Sequence, residues 1–217
     1  MQVRVWDAAT RLFHWALAIL AVLSFTTGKL GGSWMSWHVK SGYAILALLL
    51  FRVAWGFVGS DTARFSHFLR GVRAATGYGR QLLARAPPSS TGHNPLGGWM
   101  VVVMLAALLL QAATGLFADD EVRAQGPLAA LVSEAIVRQM TRIHSANEWA
   151  VVALVVVHVV AIGFYQWGLG RDLIGPMVHG KAQAAVPPRM APAWLAAALL
   201  ALACGAVYYL VVVLPRP

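Results

Sequence analysis

Apolar residues are concentrated in five long blocks that shorter polar segments separate. The blocks run from Leu12 to Thr27, Val39 to Val58, Gly98 to Phe117, Trp149 to Trp167 and Ala193 to Leu214. Their lengths approach the roughly 20 residues that an α-helix needs to cross a bilayer. Only helices and closed barrels satisfy their backbone hydrogen bonds within lipid, so the pattern predicts five transmembrane helices. The predicted fold class is an all-α integral membrane protein.

The first block lies where a signal peptide would lie, but its details differ from one. His14 and Trp15 interrupt the block, and no small-x-small cleavage site follows it before Lys29. A signal peptide ends in such a site. We therefore expect the first block to be retained as a membrane span.

The polar segments between the blocks predict how the chain is divided. The segment GKAQAAVPPRMAP separates the fourth block from the fifth, and its prolines mark irregular chain. The sequence therefore predicts a four-helix membrane domain over residues 1–181, followed by a linker and an accessory transmembrane helix over residues 182–217. In the loop 59–97 we expect irregular chain at RAPPSSTGHNP. In the loop 118–142 we expect a short amphipathic helix around Leu128 to Ile136.

The formal net charge of +9 is explained by where the basic residues lie. If the N-terminus is cytoplasmic, eleven of the 17 Lys and Arg residues fall on or near the inner side and six on the outer side. Cytoplasmic segments of membrane proteins carry such an excess of basic residues. We therefore predict a multi-pass protein with a cytoplasmic N-terminus and an outer C-terminus, in contact with lipid and not with nucleic acid.

The single cysteine limits the kinds of redox centre that the chain can hold. Cys204 lies inside the last apolar block. One cysteine excludes an internal disulfide, an iron–sulfur cluster held by thiolates and a covalent C-x-x-C-H haem attachment. Any redox centre must therefore be held by other side chains.

Four of the seven histidines lie within or beside the apolar blocks, at positions 14, 38, 144 and 158. A polar ring left without a partner in hydrocarbon costs about 2–7 kcal/mol, so each ring is expected to have a partner. His144 and His158 share a helix face and are about 21 Å apart along the axis. At the outer depth His144 can meet His38, and at the inner depth His158 can meet His14.

Two histidine pairs in one small bundle are well explained by two haem groups. An iron with two axial histidines needs imidazoles on opposite sides of a flat macrocycle, and facing helices of a bundle provide them. We therefore predict two b haems, one held by the inner pair and one by the outer pair. Gly42 lies one turn after His38 on the same face and would let the macrocycle approach the backbone. A direct hydrogen bond between the two rings of each pair is the alternative.

Two arginines are candidate partners for haem propionates. Arg52 follows His38 by the same offset that separates the two histidines of the fourth span, and it points to the inner depth. Arg11 lies one turn before His14. A charge within a span is a functional candidate, although both side chains could instead extend to the cytoplasmic headgroups. The histidines of the inner loops, His67, His93 and His179, are expected to be solvated.

Six segments between about Val3 and Lys181 carry a resemblance to a known family. They are VWDAATRLFHWALA, WHVKSGY, LLFRVAWGFVGSDTARFSHFL, GHNPLGGWMVVVMLAALLLQAATGLF, RIHSANEWAVVALVVVHVVAI and LIGPMVHGK. Together they resemble the bacterial cytochrome b561 family in its hydrogenase-type branch. The fifth span is similar to the extra helix of that branch and is not a feature of the compact four-helix members.

The resemblance implies a dihaem cytochrome b of the bacterial inner membrane, with its C-terminus in the periplasm. Its axial ligands would be the same four histidines. It would pass electrons between the quinone pool and a periplasmic partner, either a c-type cytochrome or a dehydrogenase or hydrogenase. Whether the chain has quinone oxidoreductase activity of its own, and whether several copies assemble, stays open.

Two other functions are compatible with the same residues. The first, within the redox class, is a superoxide:quinone oxidoreductase that needs no protein partner. The second is a haem-free membrane transporter or scaffold whose histidines bind metal or relay protons. The presence or absence of b-type haem bands would separate the second from the cytochrome.

Overall fold

The computed structural model describes residues 1–85, 87–88, 92–122 and 124–216, which form eight helices and two short strands in these ranges. In chain order the elements are β1 (Gln2–Arg4), α1 (Ala8–Leu30), α2 (Met35–Val58), α3 (Phe65–Phe68), α4 (Val72–Leu83), α5 (Pro95–Gly115), α6 (Glu134–Gly163), α7 (Ile174–His179), β2 (Lys181–Gln183) and α8 (Ala193–Tyr208). Short π-helical turns extend α6 to Gly168 and α8 to Val213.

Five of these helices, α1, α2, α5, α6 and α8, are long and apolar enough to cross a membrane. They coincide with the five apolar blocks, so the predicted fold class is confirmed. One boundary was wrong. A 3-10 turn spans Ala129–Leu131, and α6 already begins at Glu134. The residues expected to form a separate amphipathic helix therefore divide between that turn and the first turn of α6, because no helix breaker lies between Glu134 and the span.

Helix α2 lies at the centre of the bundle. It packs against α1, α5 and α8, whereas α6 packs mainly against α5. Leu49 and Trp55 of α2 are completely buried. The Trp55 indole nitrogen lies 3.3 Å from the hydroxyl of Thr10 and 3.4 Å from a carboxylate oxygen of Asp7, and donates to both. The same carboxylate caps α1 by accepting from the Thr10 amide at 2.6 Å.

A two-stranded antiparallel sheet joins the start of the chain to the segment that follows α6. Val3 of β1 pairs with Ala182 of β2, and the amides of Val5 and Trp6 donate to the Gly180 carbonyl at 2.8 and 3.1 Å. Because the strands meet, the N-terminus and residues 181–183 lie on the same side of the bundle. This agrees with the four spans that separate them. We call this side inner and the opposite side outer, after the orientation that the charges predict. The sequence pattern had not predicted the sheet.

The segment before α8 is attached to the inner end of α2. The amide of Arg189 donates to the Asp61 carboxylate at 2.9 Å, and the Ala191 amide donates to the Ser60 hydroxyl at 3.0 Å. Helix α8 then packs along α2 and places Ala203 in the core. The division into a four-helix domain and an accessory helix stays a prediction. The contacts show only where the two parts meet.

The inner loop between α2 and α5 contains the short helix α3 and the amphipathic helix α4. Tyr78 of α4 is buried, and its hydroxyl lies 2.9 Å from that of Tyr165 at the inner end of α6. Asn94 donates to the same Tyr165 hydroxyl at 3.1 Å and also caps the start of α5. Residues 86 and 89–91 of the predicted irregular segment lie outside the described residues. Its described part before Pro95 contains neither helix nor strand.

Candidate functional site

The structure brings the four histidines of the spans together in two inter-helix pairs. His14 of α1 faces His158 of α6, with ring centroids 6.3 Å apart and an interplanar angle of 53°. His38 of α2 faces His144 of α6, with centroids 6.1 Å apart and an angle of 89°. We call these the inner pair and the outer pair. Both pairs have the members that residue depth predicted.

The ring separations fit an iron between each pair better than a direct hydrogen bond. A metal–imidazole bond of about 2.0–2.1 Å on each side places the centroids about 6 Å apart. A direct N–H···N bond of about 3 Å would place them nearer to about 5 Å. Among the described residues, no hydrogen bond joins the two rings of either pair. The donor set of both pairs therefore fits a haem iron with two axial histidines.

The His38 ring is fixed by the outer end of α1. Its Nδ1–H donates to the Ser24 carbonyl at 2.8 Å. Thr27 stabilises the same turn, because its hydroxyl donates to the Leu23 carbonyl at 2.6 Å. A Cβ atom on Gly28 would come within 2.8 Å of His38 Nδ1. Since Nδ1 carries the proton, Nε2 is the nitrogen that remains for a metal.

The His144 ring is fixed in the same way by the outer end of α5. Its Nδ1–H donates to the Gln111 carbonyl at 2.9 Å. The Thr114 hydroxyl donates to the Leu110 carbonyl at 2.7 Å. A Cβ atom on Gly115 would come within 2.9 Å of His144 Cε1. Nε2 is again the nitrogen left for a metal.

The two supports are a structural repeat that is offset by 87 positions. In each, a carbonyl accepts from the ring, a threonine follows three residues later, and a glycine comes directly after the threonine. The three pairs are Ser24 and Gln111, Thr27 and Thr114, and Gly28 and Gly115. In the sequence the repeat is visible only as the short similarity between TTG at 26–28 and ATG at 113–115. In the structure both segments support a histidine ring of the outer pair.

Gly42 lies one helical turn after His38 in α2. A methyl group built on Gly42 would meet no heavy atom within 4 Å. The α2 backbone therefore leaves room for a flat ring next to His38. Its role in haem binding stays a prediction.

The described residues show no carbonyl support for His14 of the inner pair like that of the outer pair. The Nδ1 atom of His14 is buried and has no hydrogen-bond partner among the described residues. Arg52 is nearby and only 3% exposed, so it does not extend to the headgroups. Its guanidinium carbon lies 6.0 Å from the Phe13 ring centre and 5.4 Å from that of Phe65. Its Nη1 atom is buried and has no hydrogen-bond partner in the described part of the chain, and a haem propionate would supply an acceptor for it.

Arg11 contacts the chain that follows α6. Its Nη1 atom donates to the Val178 carbonyl at 2.5 Å, at the C-terminal end of α7, while its Nε atom is buried without a partner in the described structure. Basic side chains commonly bind the last carbonyls of a helix. Arg11 therefore has a structural contact that neither sequence interpretation included. A propionate contact through Nε stays a prediction.

His93 is a residue of the inner end that sequence reasoning missed. His67 and His179 are exposed as expected, but the His93 ring packs 4.8 Å from Trp6 and 4.7 Å from Phe68, and its Nδ1 atom is buried without a partner in the described chain. Burial and the positive charge of Arg52 lower the pKa of His93 to about 3. The available signal was its position directly before the Asn94–Pro95 helix start, where residues often pack inward.

The acidic residues after α5 organise their own turn. The Asp119 carboxylate accepts from the Glu121 amide at 2.7 Å and from the Gln125 side chain at 2.9 Å. The Asp120 carboxylate accepts from the Ala124 amide at 2.8 Å. Two of these three acidic side chains therefore have a structural role in the outer loop.

Comparisons with known proteins agree with this architecture. Residues 5–180 match the family model described as "Prokaryotic cytochrome b561", which covers both histidine pairs. The chain is also 25% identical over 211 residues to a "Probable Ni/Fe-hydrogenase B-type cytochrome subunit" of Azotobacter chroococcum mcd 1, an alignment that covers 82% of this chain and 87% of that protein. The chain therefore belongs to the prokaryotic cytochrome b561 family and is a multi-pass membrane electron-transfer protein that binds b-type haem.

Proposed function

We propose that this protein is a dihaem cytochrome b that moves electrons between a periplasmic redox partner and the quinone pool. The observation that supports the proposal best is the pair of histidine sites. Both have ring centroids slightly more than 6 Å apart, and both use a histidine of α6. One helix therefore links two sites of the same chemistry at different depths.

His14 and His158 would hold the inner haem, and His38 and His144 the outer haem. Each bound haem supplies a one-electron Fe(III)/Fe(II) couple. Because histidines take both axial positions, neither site has an open position for oxygen or for a substrate. The residues therefore favour electron transfer over chemistry at the metal.

The membrane orientation that the charges favour indicates which histidine pair lies near which side of the membrane. With eleven of the 17 basic residues on one side, that side would be cytoplasmic, in a bacterial inner membrane. The N-terminus would be cytoplasmic and the C-terminus periplasmic. The outer pair would then receive or deliver electrons near the periplasm.

The periplasmic partner would be a hydrogenase or a related dehydrogenase, with a c-type cytochrome as the other class. The hydrogenase is supported by the Azotobacter relative, which is described as a probable subunit of such an enzyme. Co-purification of the native complex would identify the partner.

Optical spectra of the purified protein test the proposal directly. We expect reducible b-type Soret and α bands and two haems per chain. Protein without reducible b-type bands would contradict the haem assignment, and one haem per chain would contradict the second site. Partner-free quinone reduction by a superoxide source would instead favour a superoxide:quinone oxidoreductase.

A further inference from the structure

Helix α4 has a packed side and a basic side at the inner end of the bundle. On the packed side Ala75 and Tyr78 are buried, and the Tyr78 hydroxyl lies 2.9 Å from that of Tyr165. Arg73 and Arg80 are exposed. They are close to two helical turns apart, so they share one face and are separated by about 10 Å along the axis. The packed side holds α4 against the bundle and leaves the arginine face open.

Neighbouring carboxylates do not neutralise the positive charge of this segment. The sequence contains no Asp or Glu between Asp61 and Asp119, whereas five arginines lie at positions 64–85. Arg64 pairs with Asp61. The other four form no ion pair within the described part of the chain, and they are Arg70, Arg73, Arg80 and Arg85. Such a concentration of unpaired cations on one surface favours an anionic partner.

Two exposed apolar side chains lie beside the arginines on α4. Val72 is 65% exposed and Leu83 is 87% exposed. They are about three turns apart and share one edge of the helix, which lies between the packed side and Arg80. An acidic soluble partner would account for the arginines alone. An apolar edge next to a basic face is typical of a helix that lies in a membrane interface.

Trp99 marks the depth of α4 relative to the membrane. It lies near the start of the span α5, and its indole nitrogen donates at 2.9 Å to the carbonyl of Arg70, two residues before α4 begins. Its side chain is partly exposed, and tryptophan is enriched where a membrane meets water. The start of α4 is therefore fixed at the level of the headgroups of the inner leaflet.

We infer that α4 binds anionic phospholipids of the inner leaflet. Arg73 and Arg80 bind the headgroup phosphates, and Val72 and Leu83 lie among the upper parts of the acyl chains. Guanidinium groups suit this role because they bind phosphate through parallel N–H bonds. The inference requires neither a particular haem number nor a particular redox partner, so it can fail while the proposed function stands.

Lipid affinity tests the two arginines. Native mass spectrometry of the full-length protein in detergent, titrated with phosphatidylglycerol or phosphatidylcholine, gives the affinity for each lipid. We expect the wild-type protein to bind phosphatidylglycerol more tightly. In Arg73→Gln/Arg80→Gln this preference should fall by about fivefold for each arginine lost. The control Arg4→Gln/Lys181→Gln removes two exposed charges from the same side of the bundle and should keep the preference.

A spin label at position 83 tests whether the apolar edge enters the bilayer. The label is attached to Leu83→Cys in a Cys204→Ala background, since Cys204 is exposed. Gln81→Cys is the matched control, because Gln81 is exposed and lies on the opposite face of α4. In phosphatidylglycerol-containing bilayers, oxygen dissolved in the lipid should relax the label at position 83. A water-soluble nickel chelate should relax the label at position 81.

Three results would overturn the inference. The first is a wild-type protein with no preference for phosphatidylglycerol. The second is an equal loss of that preference in both double variants, which would mean that the total charge of the inner side matters and α4 does not. The third is a label at position 83 that the nickel chelate reaches as readily as the label at position 81. That result would place the face in water, where an acidic protein is the better partner.

Discussion

The outer and inner histidine pairs have nearly equal ring separations but very different surroundings. At the outer pair, backbone carbonyls of two helices hold His38 and His144 through Nδ1. At the inner pair, His14 Nδ1 has no partner in the described chain, and the buried cation Arg52 lies nearby. Backbone carbonyls thus orient the two rings of the outer pair, whereas a buried cation lies near the inner pair. The comparison indicates that one ligand chemistry can be tuned separately at two depths.

Replacing a ligand histidine is expected to have the largest effect. His38→Ala or His144→Ala should remove the outer haem alone, and His14→Ala or His158→Ala the inner haem alone, because each iron needs both of its axial imidazoles. Haem content should fall from two to one per chain. Pyridine haemochrome analysis against protein concentration measures this directly.

The exposed His67 provides the control for that series, and His67→Ala should keep both haems. If His38→Ala and His158→Ala remove the same haem, the assignment of the pairs is wrong. Spectra of the four single variants would show this without any partner protein.

Alanine at the two support glycines should disturb only the outer site. A Cβ atom on Gly28 or Gly115 would lie 2.8 or 2.9 Å from an atom of the adjacent imidazole, closer than van der Waals contact allows. We expect partial loss of the outer haem, or a changed low-spin electron paramagnetic resonance signal from it. The inner haem should be unchanged.

Gly205→Ala is a matched control, since a Cβ atom there would meet nothing within 4 Å. In a helix this change is expected to stabilise by about 1 kcal/mol. Equal loss of both haems in Gly28→Ala would mean that the glycine supports the fold in general and not the outer pair.

The fold was largely predictable because the length of an apolar block is a strong physical signal. The five blocks placed the spans, and the 14-residue offset within α6 placed His144 and His158 at two depths. Short-range elements were harder. Strands β1 and β2 have three residues each. They form because the segment before the first span and the segment after the fourth span lie side by side. The start of α6 was missed because hydropathy does not mark the polar part of a helix outside the membrane.

The environment of the site was less predictable than the pairing of its histidines. The support of His144 by Gln111 joins residues 33 positions apart, and a backbone carbonyl has no signature in the sequence. His93 was wrongly expected to be solvated because its neighbours in the chain are polar. Its aromatic neighbours Trp6 and Phe68 come from other segments. The spacing of the histidines can be read from the sequence, whereas the residues that support and surround them are brought together only by tertiary packing.

If the protein binds two haems as proposed, the difference in surroundings predicts the order of their midpoint potentials. The nearby positive charge of Arg52 favours reduction at the inner site. At the outer site, Nδ1–H bonds make both imidazoles more basic and favour the oxidised iron. Lys29 and Glu148 form an ion pair at that end, with 2.5 Å between their charged atoms. We therefore expect the inner haem to have the higher midpoint potential.

Redox titration of His14→Ala and His38→Ala would assign each potential, because each variant retains one haem. A higher midpoint potential at the outer haem would contradict this prediction. It would show that imidazole hydrogen bonds and local charge do not determine the difference between the two potentials. Arg52→Gln should reduce the separation of the two potentials.

The smallest expected effect concerns the two repeated threonines, and it tests whether the supports are equivalent. Thr27 and Thr114 are 2% and 3% exposed, and each donates to a helix carbonyl. Thr27→Val and Thr114→Val should each cost about 1 kcal/mol, since each loses one hydrogen bond at nearly constant volume. Thermal unfolding in detergent, followed by the outer-haem absorbance, measures this. Thr26→Val is the control, because Thr26 is exposed. Similar losses of stability in Thr27→Val and Thr114→Val would mean that α1 and α5 contribute equally to the outer site. A loss of stability in only one variant would mean that a single helix stabilises the site.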